Sequence, residues 1–167
     1  GGRGPGVAEA MRSGRNVAIT HLCDPDRNRL EGNAKKFGVG GERAVTDMRK
    51  IFDDKSVDAV IIATPDHWHA TAAIAACEAG KHVYVEKPCS HNFREGQLLV
   101  NAARKNKRVV QHGTQSRSSR LIADGIQMLR EGIIGVVLVY KAWNVQRRGY
   151  ILKHQPGKAP SHVHQEI

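Results

Sequence analysis

The sequence predicts a doubly wound α/β fold, in which helices cover both faces of a parallel sheet. Short β-rich runs alternate with helical segments along most of the 167 residues, the order expected when helical crossovers join parallel strands. One run, residues 57–63 (VDAVIIA), is almost continuously apolar, as in a strand buried on both faces. The composition, 40% hydrophobic and 25% charged, is that of an ordinary globular chain. The length suits one domain, or one domain and a fragment of another.

The first half of the chain carries turn and cap residues at the borders of its elements. Pro5 suits the first turn of a helix, because the amide hydrogen that it lacks is not needed there. Gly38 marks the end of a polar helix, and Pro25 follows the end of the strand before that helix. The predicted elements of this half are helices over residues 5–13, 26–37 and 46–53 and strands over residues 17–22 and 57–63.

The second half continues the alternation. Gly80 closes an alanine-rich helix, and Asn92 with Glu95 three residues later resembles a capping box. Gly132 ends a further helix, after which a long β-rich run begins. The predicted elements of this half are helices over residues 67–79, 92–105 and 119–131 and strands over residues 83–85, 109–112 and 136–145; residues 149–167 show no periodic pattern.

Charge and cysteine content limit the classes of partner. The formal net charge is +10, but the basic residues are scattered and lack interleaved aromatic side chains, so we expect no nucleic acid partner. The apolar runs are too short to cross a bilayer, so we expect no membrane partner. Three cysteines without a C-x-x-C pair favour a reducing, cytoplasmic location. The chain begins with Gly1 rather than Met, so an exported form stays open.

Ligands of a doubly wound sheet bind outside the carboxyl ends of the strands, so the residues there form the candidate site. The chain starts with GGRG, a fragment of the G-x-G-x-x-G turn in which glycines let the backbone approach a pyrophosphate and Arg3 adds a cation. Such a turn follows a strand, so we infer that the chain begins inside the motif and that the first strand is missing. A flexible glycine tail is the alternative.

Asp24 supports the interpretation of the glycine-rich start. It stands 20 residues beyond Gly4, at the end of the strand that follows the first helix, where a carboxylate accepts hydrogen bonds from the ribose hydroxyls of a dinucleotide. A carboxylate repels the 2′-phosphate of NADP, so NAD is the favoured cofactor, although Arg27 leaves NADP open. The alternative for Asp24 is an Asx-turn before Pro25.

The segment 63–69 (ATPDHWH) leaves the apolar strand and enters a helix. Pro65 sharpens the turn, so that the amides of the new helix face the ligand edge. His67 and His69 do not share one helical face, and no carboxylate or cysteine completes a ligand set, so we predict no metal. A polar helix start with incidental aromatic side chains is the alternative.

Glu86, Lys87 and Pro88 directly follow the strand predicted over residues 83–85. In isolation they are an ordinary charged tripeptide in a loop. At the carboxyl end of a central parallel strand, however, a lysine points into the ligand crevice. Glu86 and partial desolvation can hold Lys87 there to bind a substrate hydroxyl or relay its proton, which makes Lys87 the candidate catalytic residue.

Five features follow one another along the chain: GGRG, the acidic residue after the second strand, ATPDHWH, GKHVYVEKP and QHGTQSRS. In this order they resemble the Gfo/Idh/MocA oxidoreductases, the family of glucose-fructose oxidoreductase and inositol dehydrogenase. The resemblance spans residues 1 to about 145 and implies a Rossmann-type domain. It also implies that Lys87 orients the reacting hydroxyl and relays its proton. With the glycine-rich start, the candidate cofactor-binding residues are Gly1, Gly2, Arg3, Gly4, Asp24, Thr64, Pro65, Trp68, His69, Glu86 and Gln115.

The resemblance further implies a second α/β domain, of which this chain would hold only the start. We therefore expect a dinucleotide-binding domain over residues 1–134, without its first strand, and a truncated substrate domain over residues 135–167 that opens with the strand 136–145. The family's catalytic base lies in an Asp-x-x-x-His pair, and His162 and His164 are not preceded by Asp at that spacing. We expect this fragment alone to be inactive and the full-length protein to be a homo-oligomer.

The expected function is NAD-dependent oxidation of a hydroxyl group on a sugar or cyclitol, a small polyhydroxy substrate, by hydride transfer to nicotinamide. Lys87 would place a cation beside the developing alkoxide. Two alternatives stay open. One is a redox-neutral, NAD-dependent glycoside hydrolase of the same family, and the other is a non-catalytic module that binds a nucleotide or a nucleic acid.

Overall fold

A computed structural model of the chain describes residues 2–14 and 16–143. Gly1, His162, His164 and the unpatterned segment 149–167 lie outside the described residues. The chain divides into two compact units, Gly1–Thr114 and Gln115–Ile167. The domain border expected between residues 134 and 135 stays a prediction. Of the helices that are described, none is both long and apolar enough to span a membrane.

Helices and strands alternate along the first unit, as the sequence predicts. Within the described residues the helices are α1 (Gly4–Arg12), α2 (Arg27–Phe37), α3 (Arg49–Asp53), α4 (His69–Glu78), α5 (Phe93–Lys105) and α6 (Arg120–Arg130). The strands are β1 (Leu22–Cys23), β2 (Ala44–Val45), β3 (Ala59–Ile62), β4 (His82–Glu86) and β5 (Val110–Gly113). All strands belong to the first unit, and α6 belongs to the second.

The strands are parallel and form two sheets. β1 pairs with β2, and β3, β4 and β5 form a three-stranded sheet in that order. In the larger sheet Val83 on β4 lies opposite Val60 on β3 and Val110 on β5. The α/β class with parallel strands is thereby confirmed, although the described strands make two sheets where one was expected. Because the strands of the larger sheet run the same way, the segments that follow them emerge at one edge.

Two predicted strands differ from the structure. The strand over residues 17–22 was wrong in extent, since only Leu22 and Cys23 pair with a neighbour. Their partner β2 is itself two residues long, so no further backbone groups are offered to residues 17–21. The strand over residues 136–145 is not confirmed, because residues 136–143 form no strand and residues 144–145 lie outside the described part. A strand needs a partner for its amides and carbonyls, and β-rich composition supplies none.

The predicted helix ends agree with the structure better than the two predicted strands do. Gly38 and Gly80 follow the ends of α2 and α4 with φ angles of 68° and 80°, the left-handed conformation that glycine adopts most easily. The Asn92 side-chain oxygen accepts a hydrogen bond from the Glu95 amide at 3.0 Å, which caps α5. The Glu95 carboxylate accepts in turn from the His91 amide at 3.0 Å, so the predicted helix start is confirmed.

The core of the first unit lies between the larger sheet and helices α4 and α5. Small side chains let α4 lie close against the sheet: Ala70, Ala73 and Ala76 are completely buried. This packing fixes the start of α4, and therefore His69, beside the carboxyl ends of β3 and β4. The buried core residues are Phe52, Ile62, Ala72, Ala73, Ala76, Cys77, Val83, Val85, Leu99 and Ala102.

Candidate functional site

The glycine-rich start leads directly into α1. Arg3 precedes the first helical residue, Gly4, and the start of α1 has neither a side-chain cap nor an acidic residue in its first turn. The first amides of the helix are therefore left for another acceptor, and an anion is the natural one. An added Cβ at Gly2 would meet nothing within 4 Å, whereas one at Gly4 would lie 3.6 Å from the Cβ of Ala63. The start of α1 thus lies beside the residue that follows β3.

Asp24 directly follows β1 and is half-buried. Its Oδ1 accepts a hydrogen bond from the Asp26 amide at 3.0 Å, and its own amide donates to the Val45 carbonyl at 3.3 Å. The Asx-type turn considered as the alternative role is therefore present. A contact between Asp24 and a ribose stays a prediction.

Burial and the carboxylates of Asp24 and Asp47 act on the neighbouring thiol, Cys23. Desolvation is the largest cause and the two negative charges add to it, so the pKa of Cys23 is raised to about 12. The thiol therefore stays protonated at neutral pH, although the residue as a whole is exposed. Cys23 is accordingly a poor candidate for nucleophilic chemistry at this edge.

The segment between β3 and α4 forms a short 3-10 turn, Asp66–Trp68, that carries the second motif. The Thr64 hydroxyl oxygen is buried and has no hydrogen-bond partner within the described part of the chain. Pro65 is exposed, and its carbonyl accepts the Trp68 amide at 3.0 Å. Trp68 itself is half-buried. The unpaired hydroxyl of Thr64 is thus the polar group of this segment that still requires a partner.

His69 is buried, with 2% of its surface exposed. Its Nε2 lies 2.9 Å from the Thr64 carbonyl oxygen, and its Nδ1 lies 2.5 Å from the Pro88 carbonyl oxygen. Both ring nitrogens therefore face the backbone, one in its own segment and one in the segment after β4. The predicted contact between His69 and nicotinamide stays a prediction, and in this structure the ring joins two loops.

Glu86 ends β4 and is 3% exposed. Arg3 Nε donates a hydrogen bond to Glu86 Oε1 at 3.1 Å, and the Lys87 amide donates to Oε2 at 3.2 Å. Glu86 was expected to hold the Lys87 side chain, but it contacts Lys87 through the main chain and takes its cationic partner from the glycine-rich start. Lys87 is exposed, and its ammonium group makes no hydrogen bond or ion pair with any described residue.

Gln115 takes no part in these contacts, and an open cavity of the first unit is lined by other residues. Gln115 belongs to the second unit, where it begins the 3-10 turn Gln115–Ser118 with a φ of 51° and an exposed side chain. An open cavity of about 620 Å³ lies between α2, β2 and α3 and contains none of the predicted site residues, although Arg27 lines it. Within residues 2–14 and 16–143, no group of three or more His, Cys, Asp and Glu residues could hold a metal ion.

Sequence reasoning missed the two contacts that join the predicted segments. Arg3 and Glu86 are 83 residues apart, and His69 reaches a carbonyl 19 residues away. The residues around Glu86 in the sequence gave no indication of which cationic side chain would pair with it. The signal that could have suggested the pair is the position of Glu86 at the end of a buried strand, where a carboxylate needs a charged partner.

Known proteins share sequence and fold with this chain. Residues 1–114 match the model of the Gfo/Idh/MocA family, described as an oxidoreductase family with an NAD-binding Rossmann fold. The chain is 35% identical over 113 residues to levoglucosan dehydrogenase of Pseudarthrobacter phenanthrenivorans, which covers 68% of the chain and 28% of that protein. It is 31% identical over 120 residues to scyllo-inositol 2-dehydrogenase (NAD(+)) of Bacillus subtilis, with 72% and 34% covered.

A solved structure shares the fold. The crystal structure of a probable dehydrogenase from Thermotoga maritima superimposes with a TM-score of 0.67 at 27% identity, over 78% of this chain and 39% of that one. The chain therefore spans about a third of the length of the curated relatives it matches, 28% and 34% of the two named above. The family model covers most of the chain, its Rossmann fold agrees with the parallel α/β architecture, and the chain belongs to the Gfo/Idh/MocA oxidoreductase family.

Proposed function

We propose that this chain binds NAD and forms the nucleotide-binding part of an oxidoreductase that oxidises a hydroxyl group of a sugar or cyclitol. The observation that carries the proposal is the ion pair between Arg3 and Glu86, with Nε and Oε1 3.1 Å apart. It joins the uncapped start of α1, which suits a pyrophosphate, to the segment that presents Lys87. Cofactor site and candidate catalytic residue thereby belong to one connected arrangement.

The residues present suit a dinucleotide. The free amides at the start of α1 would meet the pyrophosphate, with Gly2 and Gly4 allowing a close approach. Asp24 would accept hydrogen bonds from ribose hydroxyls and disfavour a 2′-phosphate. The unpaired Thr64 hydroxyl would supply a hydrogen bond on the nicotinamide side, beside Trp68. Bound NAD supplies a nicotinamide ring that accepts a hydride at C4.

Lys87 would act on the substrate. Its exposed ammonium, without a partner in the described residues, is available to hold the hydroxyl oxygen and to stabilise the negative charge that develops there as hydride leaves carbon. An ammonium has no lone pair to accept the hydroxyl proton, so a separate base would take this proton while Lys87 stabilises the oxygen. Dehydrogenases of inositol and levoglucosan among the relatives support a polyhydroxy substrate.

The remaining expectations belong to the same proposal. Residues 1–134 would form the nucleotide-binding domain, and residues 135–167 would begin the substrate domain. The protein would be a cytoplasmic homo-oligomer. Light scattering coupled to size-exclusion chromatography measures the oligomeric state directly.

Fluorescence titration tests cofactor binding. NADH absorbs tryptophan emission, and Trp68 lies in the proposed site, so we expect NADH to quench protein fluorescence and to gain sensitised emission. NADPH should bind more weakly. A second assay, on the full-length protein, follows NADH absorbance when NAD and polyols are added, and accumulation of NADH supports net dehydrogenation. Failure of both nucleotides to bind would overturn the proposal, and glycoside cleavage without NADH accumulation would replace dehydrogenation with the hydrolase chemistry.

A further inference from the structure

We propose that Arg3 and His69 are positioning residues that hold the backbone on both sides of Lys87. The inference rests on the proposed function, because it assigns these side chains to the placement of the catalytic lysine. Arg3 fixes the residue before Lys87 by holding the Glu86 carboxylate. His69 fixes the residue after it by its contact with the Pro88 carbonyl. Neither side chain needs to touch the substrate.

The residue before Lys87, Glu86, is a buried carboxylate that accepts hydrogen bonds from two donors. Glu86 is 3% exposed, and a buried carboxylate is costly unless it is paired and hydrogen-bonded. Oε1 accepts from Arg3 Nε and Oε2 accepts from the Lys87 amide. The first contact fixes the orientation of the carboxylate, and this orientation permits the second contact. Loss of Arg3 would therefore free the Lys87 amide, although the two residues do not contact each other.

The contact after Lys87 is made by a ring in the core. His69 is the first residue of α4, a helix whose alanines Ala70 and Ala73 are completely buried against the sheet. The ring has little freedom to move, and its Nδ1 and Nε2 face carbonyl oxygens of Pro88 and Thr64. A ring nitrogen that carries hydrogen donates to the carbonyl that it faces, and hydrogen on Nδ1 gives the contact with Pro88. The segment after β4 is thus attached to the segment after β3.

The Lys87 side chain is left exposed between these two attachments. A catalytic group gains rate from being held in a productive position before the substrate arrives. Arg3 and His69 come from the two segments that the proposed function assigns to the dinucleotide, the start of α1 and the turn before α4. The backbone that carries Lys87 is therefore held by the same segments that would hold the cofactor.

Amide hydrogen exchange, measured by NMR on the protein without ligand, tests the attachments. In Arg3→Gln we expect the Lys87 amide to exchange about tenfold faster, because its acceptor is no longer fixed. In His69→Gln, which keeps one amide donor, we expect faster exchange at Lys87 and Cys89 by a smaller factor, and in His69→Ala by a larger one. The amides of Val83 and Val85 in β4 should be unaffected in Arg3→Gln and His69→Gln.

Matched control variants separate local from general effects. Arg12→Gln removes an exposed arginine at the other end of α1, and His67→Gln removes an exposed histidine two residues before His69. Both should leave exchange at Lys87 within about twofold of the wild type. Unchanged exchange at Lys87 in Arg3→Gln and His69→Gln would overturn the inference. So would equal acceleration along β4, since the two residues would then serve stability alone.

Addition of NADH distinguishes failure of the inference from failure of the proposed function. In the wild type, NADH should slow exchange at Lys87 further, whereas in Arg3→Gln a saturating NADH concentration should slow exchange there by less than half as much. Arg3→Lys, which keeps the charge, should restore part of the effect. If NADH does not bind the wild type, the proposed function fails, while exchange in the unliganded variants still decides whether the attachments exist.

Discussion

The Tyr84 ring lies against Gly113 on the neighbouring strand, so that a Cβ at position 113 would come within 2.5 Å of the Tyr84 hydroxyl oxygen. Tyr84 pairs in register with Gln111, and Glu86 pairs with Gly113. The ring therefore leans along the sheet toward the carboxyl ends of the strands, where Glu86 is buried. A residue without a side chain at position 113 makes this possible.

Gly113→Ala should therefore destabilise the protein. The added methyl group would collide with the ring of Tyr84, a residue of β4. Overpacking of this kind costs about 1–3 kcal/mol. Gly32→Ala is the matched control, because an added Cβ there meets nothing within 4 Å on α2. That change should leave the free energy of unfolding equal or higher by up to about 1 kcal/mol. Urea unfolding measures both, and equal stability of Gly113→Ala and the wild type would contradict the packing argument.

Lys87→Ala should separate catalysis from cofactor binding. In the full-length protein we expect the rate of NAD-dependent polyol oxidation to fall by about a hundredfold or more, since the cation beside the reacting oxygen is lost. Affinity for NADH should stay within about twofold, because the Lys87 side chain is exposed and makes no hydrogen bond or ion pair with a described residue. Lys55→Ala, another exposed lysine, serves as the control. Comparable turnover in Lys87→Ala and the control would remove Lys87 from the mechanism.

Asp24→Ser should change the choice between cofactors. Removal of the carboxylate removes its repulsion of a 2′-phosphate, so the ratio of NADPH affinity to NADH affinity should rise about tenfold or more. Serine keeps an oxygen that can accept the Asp26 amide, so the turn after β1 should survive. Titration of both nucleotides with both proteins gives the ratio. An unchanged ratio would mean that Asp24 serves the turn alone.

Asp54 should make stability depend on pH in the acid range. Hydrogen bonding from Ser56, whose amide lies 2.7 Å from Oδ1, holds the pKa of Asp54 below its ordinary value of 3.8, and His21 at 3.1 Å adds to the effect. A lowered pKa stabilises the folded state above the unfolded-state pKa of about 3.9, and this contribution is lost as pH falls through the folded-state value.

Asp54→Asn should consequently lower the free energy of unfolding at pH 7, and the difference from the wild type should shrink as the pH falls below 3.8 and through the lowered folded-state pKa of Asp54. Asparagine keeps the main-chain carbonyl that accepts a hydrogen bond from the buried Lys81 ammonium at 2.6 Å. Asp53→Asn, at the exposed neighbouring residue, should show no such trend. A constant difference between Asp54→Asn and the wild type at all pH values would show that the carboxylate charge is not the cause.

Cys23 should react slowly with alkylating reagents despite its exposure. With a pKa of about 12, its thiolate fraction at pH 8 is lower than that of a free cysteine by about a thousandfold. Iodoacetamide labelling followed by mass spectrometry should therefore leave Cys23 unmodified after free glutathione has reacted fully. Rapid labelling at pH 8 would show that burial, with the carboxylates of Asp24 and Asp47, does not raise the pKa of the thiol.

The sequence predicted those parts of the fold that depend on nearby residues. The cap at Asn92 and the left-handed glycines Gly38 and Gly80 act within one or two helical turns, and the helices that they delimit are confirmed. The strand over residues 17–22 depended on a partner strand elsewhere in the chain, which local composition does not specify. Side chains that favour an extended conformation were not sufficient to form a strand over residues 17–21.

In the candidate site, too, features that depend on nearby residues were predicted and contacts between distant segments were not. Glu86 and Lys87 were expected at the carboxyl end of a parallel strand, and β4 ends at Glu86. The pairing of Glu86 with Arg3 was not predicted, because it is decided by the approach of two segments 83 residues apart. The burial of His69 was equally hidden, since its ring is covered only after the segments that follow β3 and β4 meet.

The division into two sheets concerns the strands that the structure describes. Among them, β3 has β4 on one side and no strand on the other, so the backbone groups along Ala59–Ile62 can pair with a further strand.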